Sequence, residues 1–174
     1  MKTDISEIVA ILERTPAVLR AMLEDLPEAC LETREGEGTF SPTDIVGHLI
    51  HGEKTDWVPR MRVILESGET QPFMPFDRFG FQDAIRGRSM SALLGEFQSL
   101  RRSNLDVLRG LALVPQQLAL TGRHPELGTV TLGQLLTTWA VHDLNHVGQA
   151  VRVMSRRYTV EVGPWKAYLG ILNN

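Results

Sequence analysis

The sequence is poor in the features that mark several large classes of protein. Its single cysteine, Cys30, cannot form a disulfide within the chain, which favours a reducing cytoplasmic location and an ordinary packed thiol. No apolar run is long enough to cross a bilayer, and the N-terminal segment MKTDISEIVA lacks the charged and then apolar layout of a secretory signal, so we expect no membrane partner. A formal net charge of −3 without a dense Lys/Arg stripe argues against a nucleic-acid partner.

What the chain does contain is enough apolar material for one core. Its 174 residues are 43% hydrophobic, so we interpret residues 1–174 as one domain. The arginine pairs Arg101-Arg102 and Arg156-Arg157 are isolated from other basic residues, and we predict that they lie on solvent-exposed helix surfaces.

Hydrophobic residues recur at three- and four-residue steps in four segments, which predicts an all-α fold with four long helices. The predicted helices span residues 4–26, 41–67, 89–111 and 131–157. Pro16 should bend or restart the first helix, and Pro59 should kink the second near residues 57–58. Strand signals are weak, since only GTVTL alternates, and the tail GPWKAYLGILNN suggests one last helical piece.

Two long connections interrupt this helical pattern, at residues 68–88 and 116–130. Long irregular connections in a small domain are often functional loops. The first contains four of the six phenylalanines, Phe73, Phe76, Phe79 and Phe81. These rings either line a ligand pocket or close one end of the bundle, and both interpretations remain open at this point.

The last predicted helix carries two histidines, His142 and His146, at i, i+4 spacing, which places both rings on one face. They belong to an inward row that is otherwise mostly apolar: Leu132, Leu135, Trp139, His142, His146, Gln149 and Val153. A buried polar group without a partner costs about 1–3 kcal/mol, so these rings need hydrogen-bond partners or a metal ion. Neutral imidazole is a common ligand of Zn²⁺ and Ni²⁺, but the spacing alone does not decide between the two possibilities.

A third ligand could come from the second helix, where His48 and His51 are the candidates. The neighbouring Gly47 and Gly52 could leave room for a site between helices. His51 is an alternative pocket residue, with an exposed surface position equally compatible with the pattern.

Other residues are candidates for a pocket around such a site. His124 precedes a proline in the second long connection and could line the pocket mouth or simply be exposed. Gln149 lies one turn after His146 and could either bond the outer ring nitrogen of a ligating histidine or close the site. Asp143 and Asn145 are expected to point away from the ligands and to contact neighbouring elements.

Three neutral histidines leave a divalent ion with an open coordination position, which is typical of catalytic sites. HDLNH also resembles the His-Glu-x-x-His motif of zinc proteases with Asp143 as the base, although no third-ligand motif follows it. A ferritin-like di-iron site is excluded because no glutamate stands three residues before any histidine. No catalytic residue beyond the ligands is predicted.

Three stretches together resemble the DinB/YfiT-like superfamily of metal-dependent enzymes. LERTPAVLRAMLEDLPE is similar to the family's first helix, FSPTDIVGHLIHGEKTDW to its second, and GTVTLGQLLTTWAVHDLNHVGQAVRVM to its last. The resemblance implies a four-helix bundle with long inter-helix loops, often dimeric, and a Zn²⁺ or Ni²⁺ site. It also implies the ligand set His48, His142 and His146.

Characterised members of that family include thiol-dependent transferases that use bacillithiol, mycothiol or glutathione. The resemblance therefore implies a small-molecule substrate, a possible low-molecular-weight thiol cosubstrate and a homodimer. A hydrolase is a less favoured enzyme class. The alternative is a bundle without catalytic activity, whose metal is structural or vestigial and which acts by binding a partner.

Overall fold

Four long helical segments form the frame of the molecule, which a computed structural model describes for residues 4–173. The helices are α1 Ile5–Leu23, α2 Glu28–Leu31, α3 Pro42–Thr55, α4 Trp57–Glu66, α5 Gln82–Ile85, α6 Met90–Gly110 and α7 Leu132–Arg156. Two short strands, β1 Thr121–His124 and β2 Gly128–Thr131, form an antiparallel hairpin. Both α1 and α3 pack against α6 and α7, so the predicted all-α bundle is confirmed. Within the described part of the chain, no helix combines the length and apolar character needed to cross a membrane.

The starts of three long helices are fixed by side-chain caps that the sequence makes visible. Ser41 and Thr131 each form a reciprocal capping box with the residue three positions later, and the Ser89 side chain accepts a bond from Ala92 N–H. These caps satisfy amide groups that the first helical turn leaves without partners. They place the beginnings of α3, α6 and α7 within one residue of the predicted positions.

Pro16 does not restart the first helix, because α1 continues through it as one helix and ends at Leu23. A proline in a helix removes the amide that would bond the carbonyl four residues earlier. That carbonyl belongs to Leu12, and the buried Arg101 side chain donates to it at 2.8 Å. A side chain from α6 therefore replaces the bond that Pro16 cannot make.

The second predicted helix is divided rather than kinked. It breaks at Asp56, between α3 and α4, one or two residues earlier than predicted. Pro59 explains the position, since its missing amide would have bonded the carbonyl of Thr55, the last residue of α3. The break turns Trp57 towards α7, where its ring stacks on Trp139 at 5.8 Å between centroids.

A short β-hairpin precedes α7, and the sequence pattern indicated only one of its two strands. The alternating GTVTL stretch includes β2, but its partner β1 was not predicted. Gly122 in β1 lies so close to α4 that an added Cβ would meet Ile64 at 2.7 Å.

The C-terminal tail forms two 3₁₀ turns, Gly163–Tyr168 and Gly170–Leu172, in place of one helical piece.

The apolar core consists of two clusters with a polar layer between them. One cluster surrounds Trp57, Trp139 and Leu105, and the other surrounds Phe81, Phe97 and Leu49. The buried polar residues between the clusters come from α3, α6 and α7: His48, Glu53, Arg101, Asp143 and His146. The apolar faces of α1 and α6 build this core.

Candidate metal centre

Three histidine side chains meet in the polar layer between α3 and α7. The Nε2 atom of His142 lies 3.1 Å from Nε2 of His48 and 3.1 Å from Nε2 of His146. The candidate ligand atoms of all three lie within 4.8 Å of one another. His48 and His146 are buried, and His142 is partly buried. The structure therefore brings together the three histidines that the sequence singled out.

Burial keeps these imidazoles neutral. Loss of hydration is the largest cause of the shifts, and it lowers the pKa of His48 to about 4 and that of His142 to about 3. Burial also lowers the pKa of His146, although a hydrogen bond from its ring acts in the opposite direction. Neutral rings near pH 7 have a lone pair available for coordination, which is the state that metal binding requires.

Gln149 fixes the tautomer of one of these rings. His146 Nδ1–H donates to Gln149 Oε1 at 2.8 Å, which leaves the lone pair on Nε2, the atom that faces the other two histidines. Bonds of this kind orient metal-binding histidines and increase their basicity. Gln149 thus contacts the outer nitrogen of a candidate ligand.

The distances between the three nitrogens fit a transition-metal ion. Bonds of about 2.0–2.1 Å place ligand nitrogens about 3.3 Å apart in a tetrahedron and about 2.9 Å apart in an octahedron. The two observed separations of 3.1 Å lie between these values. His146 carries its proton on Nδ1, so its Nε2 faces Nε2 of His142 with a free lone pair, and Nδ1 of His142 is buried without a partner among the described residues. The donor set therefore fits a divalent cation.

Directly behind the cluster lies a buried ion group formed by Arg101, Glu53 and Asp143. Arg101 donates to both oxygens of Asp143, at 2.5 and 3.0 Å, and to Glu53 Oε1 at 2.8 Å. The prediction that Arg101 lies on a solvent-exposed surface is wrong, since its side chain is 2% exposed. Trp139 and Asn104 also donate to the Glu53 carboxylate, at 3.0 and 2.9 Å. These bonds tie α3, α6 and α7 together at the level of the histidines.

Asp143 consequently has no part in the chemistry that the HDLNH motif suggested. Both of its oxygens are bound to Arg101, and its side chain is fully buried on the side of α6. The protease-like interpretation is therefore wrong, whereas the expectation that Asp143 contacts a neighbouring element agrees with the structure. Asn145 differs from expectation, because it is exposed and lines the cavity described below.

The glycines beside His48 do not leave open space for a site. An added Cβ on Gly47 would lie 2.7 Å from both Ile85 and Phe81, so α5 and the preceding loop occupy that position. A Cβ on Gly52 would lie 3.3 Å from the indole nitrogen of Trp57. Gly52 thereby admits Trp57, whose ring contacts His142 edge-on at 5.1 Å.

A cavity of about 590 Å³ opens onto the histidine cluster. This volume falls within the usual range for small-molecule sites. The phenylalanine-rich connection, α3, α4, the hairpin and α7 all contribute to its wall; apolar lining residues include Phe40, Trp57, Phe73, Phe76, Leu127 and Leu135. Phe73 and Phe76 thus line the pocket, while the buried Phe81 packs in the core. The two interpretations of the connection each hold for different rings.

The remaining pocket candidates occupy different places. His124 lines the cavity, and its Nδ1 accepts bonds from the amides of Glu126 and Leu127 at 3.2 Å each. Partly buried His51 is not among the cavity-lining residues, but its ring contacts Phe76, which is, at 5.2 Å. His51 therefore supports the aromatic wall from behind.

Several residues at the site were not identified from the sequence. Arg60 and Arg78 line the cavity, as does Asp56, which forms an ion pair with Arg60 at 2.5 Å. Burial raises the pKa of the Asp56 carboxyl. Among the buried polar residues behind the site, the inward position of Arg101 could have been predicted, because it lies four residues after Phe97 and four before Leu105, both core residues of α6.

The fold and the site define a helical bundle with three histidines at the floor of an open cavity. The chain belongs to the DinB superfamily, whose family model matches residues 11–150. A protein of Oceanobacillus iheyensis, provisionally named as a metal-dependent hydrolase, is 21% identical over 154 residues, covering 88% of this chain and 87% of the relative.

Two solved structures share the fold. YfiT from Bacillus subtilis, described as "a probable metal-dependent hydrolase with an unusual four-helix bundle topology", matches with a TM-score of 0.75 and 23% identity over 90% of this chain and 89% of that chain. TT2238, described as a four-helix bundle protein, matches with a TM-score of 0.51 and 20% identity over 84% and 97% of the two chains.

Proposed function

We propose that this protein is a metal-dependent enzyme in which His48, His142 and His146 hold a divalent ion, Zn²⁺ or Ni²⁺, at the floor of a substrate cavity. The observation that carries the proposal is the convergence of three neutral imidazoles, with Nε2 of His142 lying 3.1 Å from Nε2 of each of the other two, beside a cavity of about 590 Å³. A closed structural site would have four protein ligands, whereas three ligands beside a cavity leave a position for a reactant.

The chemistry follows from that open position. An ion held by three neutral ligands acts as a Lewis acid and lowers the pKa of a bound water or thiol, so that a nucleophile is available at neutral pH. The residues of the chain supply the setting: Gln149 orients His146, and Trp57 covers one edge of His142. The mostly apolar lining lowers the local dielectric constant and so strengthens electrostatic interactions within the cavity.

Water and a small thiol are the two candidate nucleophiles. The descriptions of YfiT and of the Oceanobacillus protein as hydrolases support water. A thiol-dependent transferase would need a cosubstrate such as bacillithiol, mycothiol or glutathione, because the chain's one cysteine, Cys30, does not line the cavity.

Metal content tests the proposal directly. Protein purified without a histidine tag should contain about one Zn²⁺ or Ni²⁺ per chain by elemental analysis, and His48→Ala should lose most of it. His51→Ala is the matched control, since it removes an imidazole from the same helix outside the cluster. Absence of stoichiometric metal, or equal metal content in parent and His48→Ala, would refute the proposal.

The nucleophile is tested in protein reconstituted with Co²⁺, whose absorption reports on its ligands. A thiol that coordinates the metal should add a sulfur-to-metal charge-transfer band. If bacillithiol, mycothiol and glutathione all leave the spectrum unchanged, the transferase is excluded and screening with esters and amides becomes the next test.

A homodimer remains a prediction. The outer face of α7 supports it, because Val141 and Leu144 are 57% and 53% exposed there. Light scattering coupled to size-exclusion chromatography should give twice the chain mass of 19.5 kDa. Charged substitutions at both positions should reduce the mass to that of one chain if this face forms the interface.

A further inference from the structure

One cation in the cavity wall has no charged partner. Arg78, in the phenylalanine-rich connection, lines the cavity, and its guanidinium lies 5.2 Å from the ring centre of Phe40 and 5.8 Å from that of Phe79. Within residues 4–173, no carboxylate forms an ion pair with it. Its contacts are with aromatic rings, which hold the side chain at the cavity without neutralising it.

The other charged groups of the cavity are placed differently. Arg60 is neutralised by Asp56 in the same wall, at 2.5 Å. Glu126 also lines the cavity, in the turn between β1 and β2, where its amide donates to His124 Nδ1 at 3.2 Å. Arg78 instead lines the cavity together with His48 and His146, and two other lining residues, Phe76 and Trp57, contact the rings of His48 and His142 at 5.5 and 5.1 Å. Arg78 is solvent-exposed, and among the described residues of the cavity wall it is an arginine without an ion-pair partner.

The rest of the wall determines what kind of molecule fits. Most of the lining is aromatic or aliphatic, and the volume suits a small organic molecule rather than a bare inorganic anion. A guanidinium group presents a planar fork of N–H donors that matches the two oxygens of a carboxylate. An apolar body and one carboxylate would thus find complementary groups in the same cavity.

We propose that the substrate is a small carboxylate with an apolar body, whose carboxylate binds Arg78 while the body lies between Phe76 and Trp57. This places the remainder of the molecule against the histidine cluster. The statement that this molecule is a substrate rests on the proposed function, whereas binding of its carboxylate needs only the cavity and Arg78. Experiments can therefore refute carboxylate binding and metal-dependent catalysis independently.

The test uses metal-free protein, so that the ligand cannot bind through a metal ion. Phenylacetate and its neutral counterpart phenylacetamide are titrated into the parent protein and followed by calorimetry. Phenylacetate should bind about two- to fivefold more tightly than phenylacetamide, which is the effect of one ion pair at a solvent-exposed arginine. Arg78→Gln should remove this preference, whereas Arg62→Gln, a change at an exposed arginine of α4 that does not line the cavity, should retain it.

Nitrogen-proton NMR spectra of the same titrations locate the ligand. The indole N–H signal of Trp57 should shift with phenylacetate, and that of the exposed Trp165 should not. Equal binding of the two ligands, an undiminished preference in Arg78→Gln, or no saturable binding of phenylacetate would each overturn the proposal. Metal content, measured separately, decides the proposed function, so a negative titration in a protein that binds stoichiometric metal refutes only the substrate assignment.

Discussion

Replacement of Arg101 by methionine should be among the most destabilising single changes in this protein. The substitution removes the guanidinium that neutralises Glu53 and Asp143, both of which have fully buried side chains. It also leaves the Leu12 carbonyl without its donor, because Pro16 cannot supply one. Methionine fills much of the volume, so the loss arises mainly from uncompensated charge rather than from an empty space.

The expected loss in the free energy of unfolding is about 3–5 kcal/mol, the usual result of removing one partner from a buried ion pair. For a chain of this size that corresponds to a decrease in melting temperature of roughly 6–20 °C. Urea unfolding followed by circular dichroism measures the first quantity, and calorimetry measures the second. Arg102→Met is the matched control, since Arg102 is exposed and its loss should change stability by less than about 0.5 kcal/mol.

The reasoning would be refuted if Arg101→Met and Arg102→Met unfolded at the same urea concentration. If Arg101→Met does not fold, Arg101→Lys provides the measurement. Lysine keeps the positive charge but cannot reach two carboxylates and a carbonyl with a planar fork, so its stability should lie between those of the methionine variant and the parent.

Three further changes probe other parts of the structure. Gln149→Leu removes the acceptor that orients His146 and should weaken metal binding about 10–100-fold in a competitive chelator titration, with little change in the far-ultraviolet spectrum. Gly47→Ala forces a methyl group against α5 and should cost about 1–3 kcal/mol in urea unfolding, whereas Gly95→Ala, where the added atom meets nothing within 4 Å, should stabilise the protein by about 0.5–1 kcal/mol. Glu35 accepts hydrogen bonds from Arg152 of α7, and these bonds lower the pKa of the Glu35 carboxyl from its ordinary value of 4.5. The ionised carboxylate therefore stabilises the folded protein above pH 4.5, and this stability is lost as the pH falls through the lowered pKa. Urea midpoints should therefore decrease less between pH 5 and pH 3 in Glu35→Gln than in the parent; equal slopes would contradict this interpretation.

The ends and faces of the helices were readable from the sequence because they depend on short-range chemistry. The Ser41 and Thr131 capping boxes involve residues only three positions apart, and they fix where α3 and α7 begin. The i, i+4 spacing of His142 and His146 places both rings on one face of α7 whatever the rest of the chain does. One turn further on, Gln149 was identified as a contact for the outer nitrogen of a ligand by the same periodicity.

Features that depend on contacts between distant segments could not be read in this way. Arg101 was predicted to be exposed although it lies in register with core residues of α6, because nothing local showed that Glu53 and Asp143 would neutralise it, or that Leu12 would present a free carbonyl. Likewise, Gly47 and Gly52 suggested space, and only the packing of α5 and Trp57 showed that the space is filled.

The sequence by itself thus determined four amphipathic helices, their caps and two histidines that face inward, since each follows from the geometry of a helix and its nearest neighbours. Tertiary structure decided that His48 joins that pair and that a buried ion group lies behind the three rings. It also decided that Arg78, from an irregular connection, reaches the cavity in front of them. The histidine rings become buried, and charged groups from separate elements come close to one another, only when the helices pack. Burial keeps the rings neutral, and the neighbouring charged groups complete the chemical environment of the site.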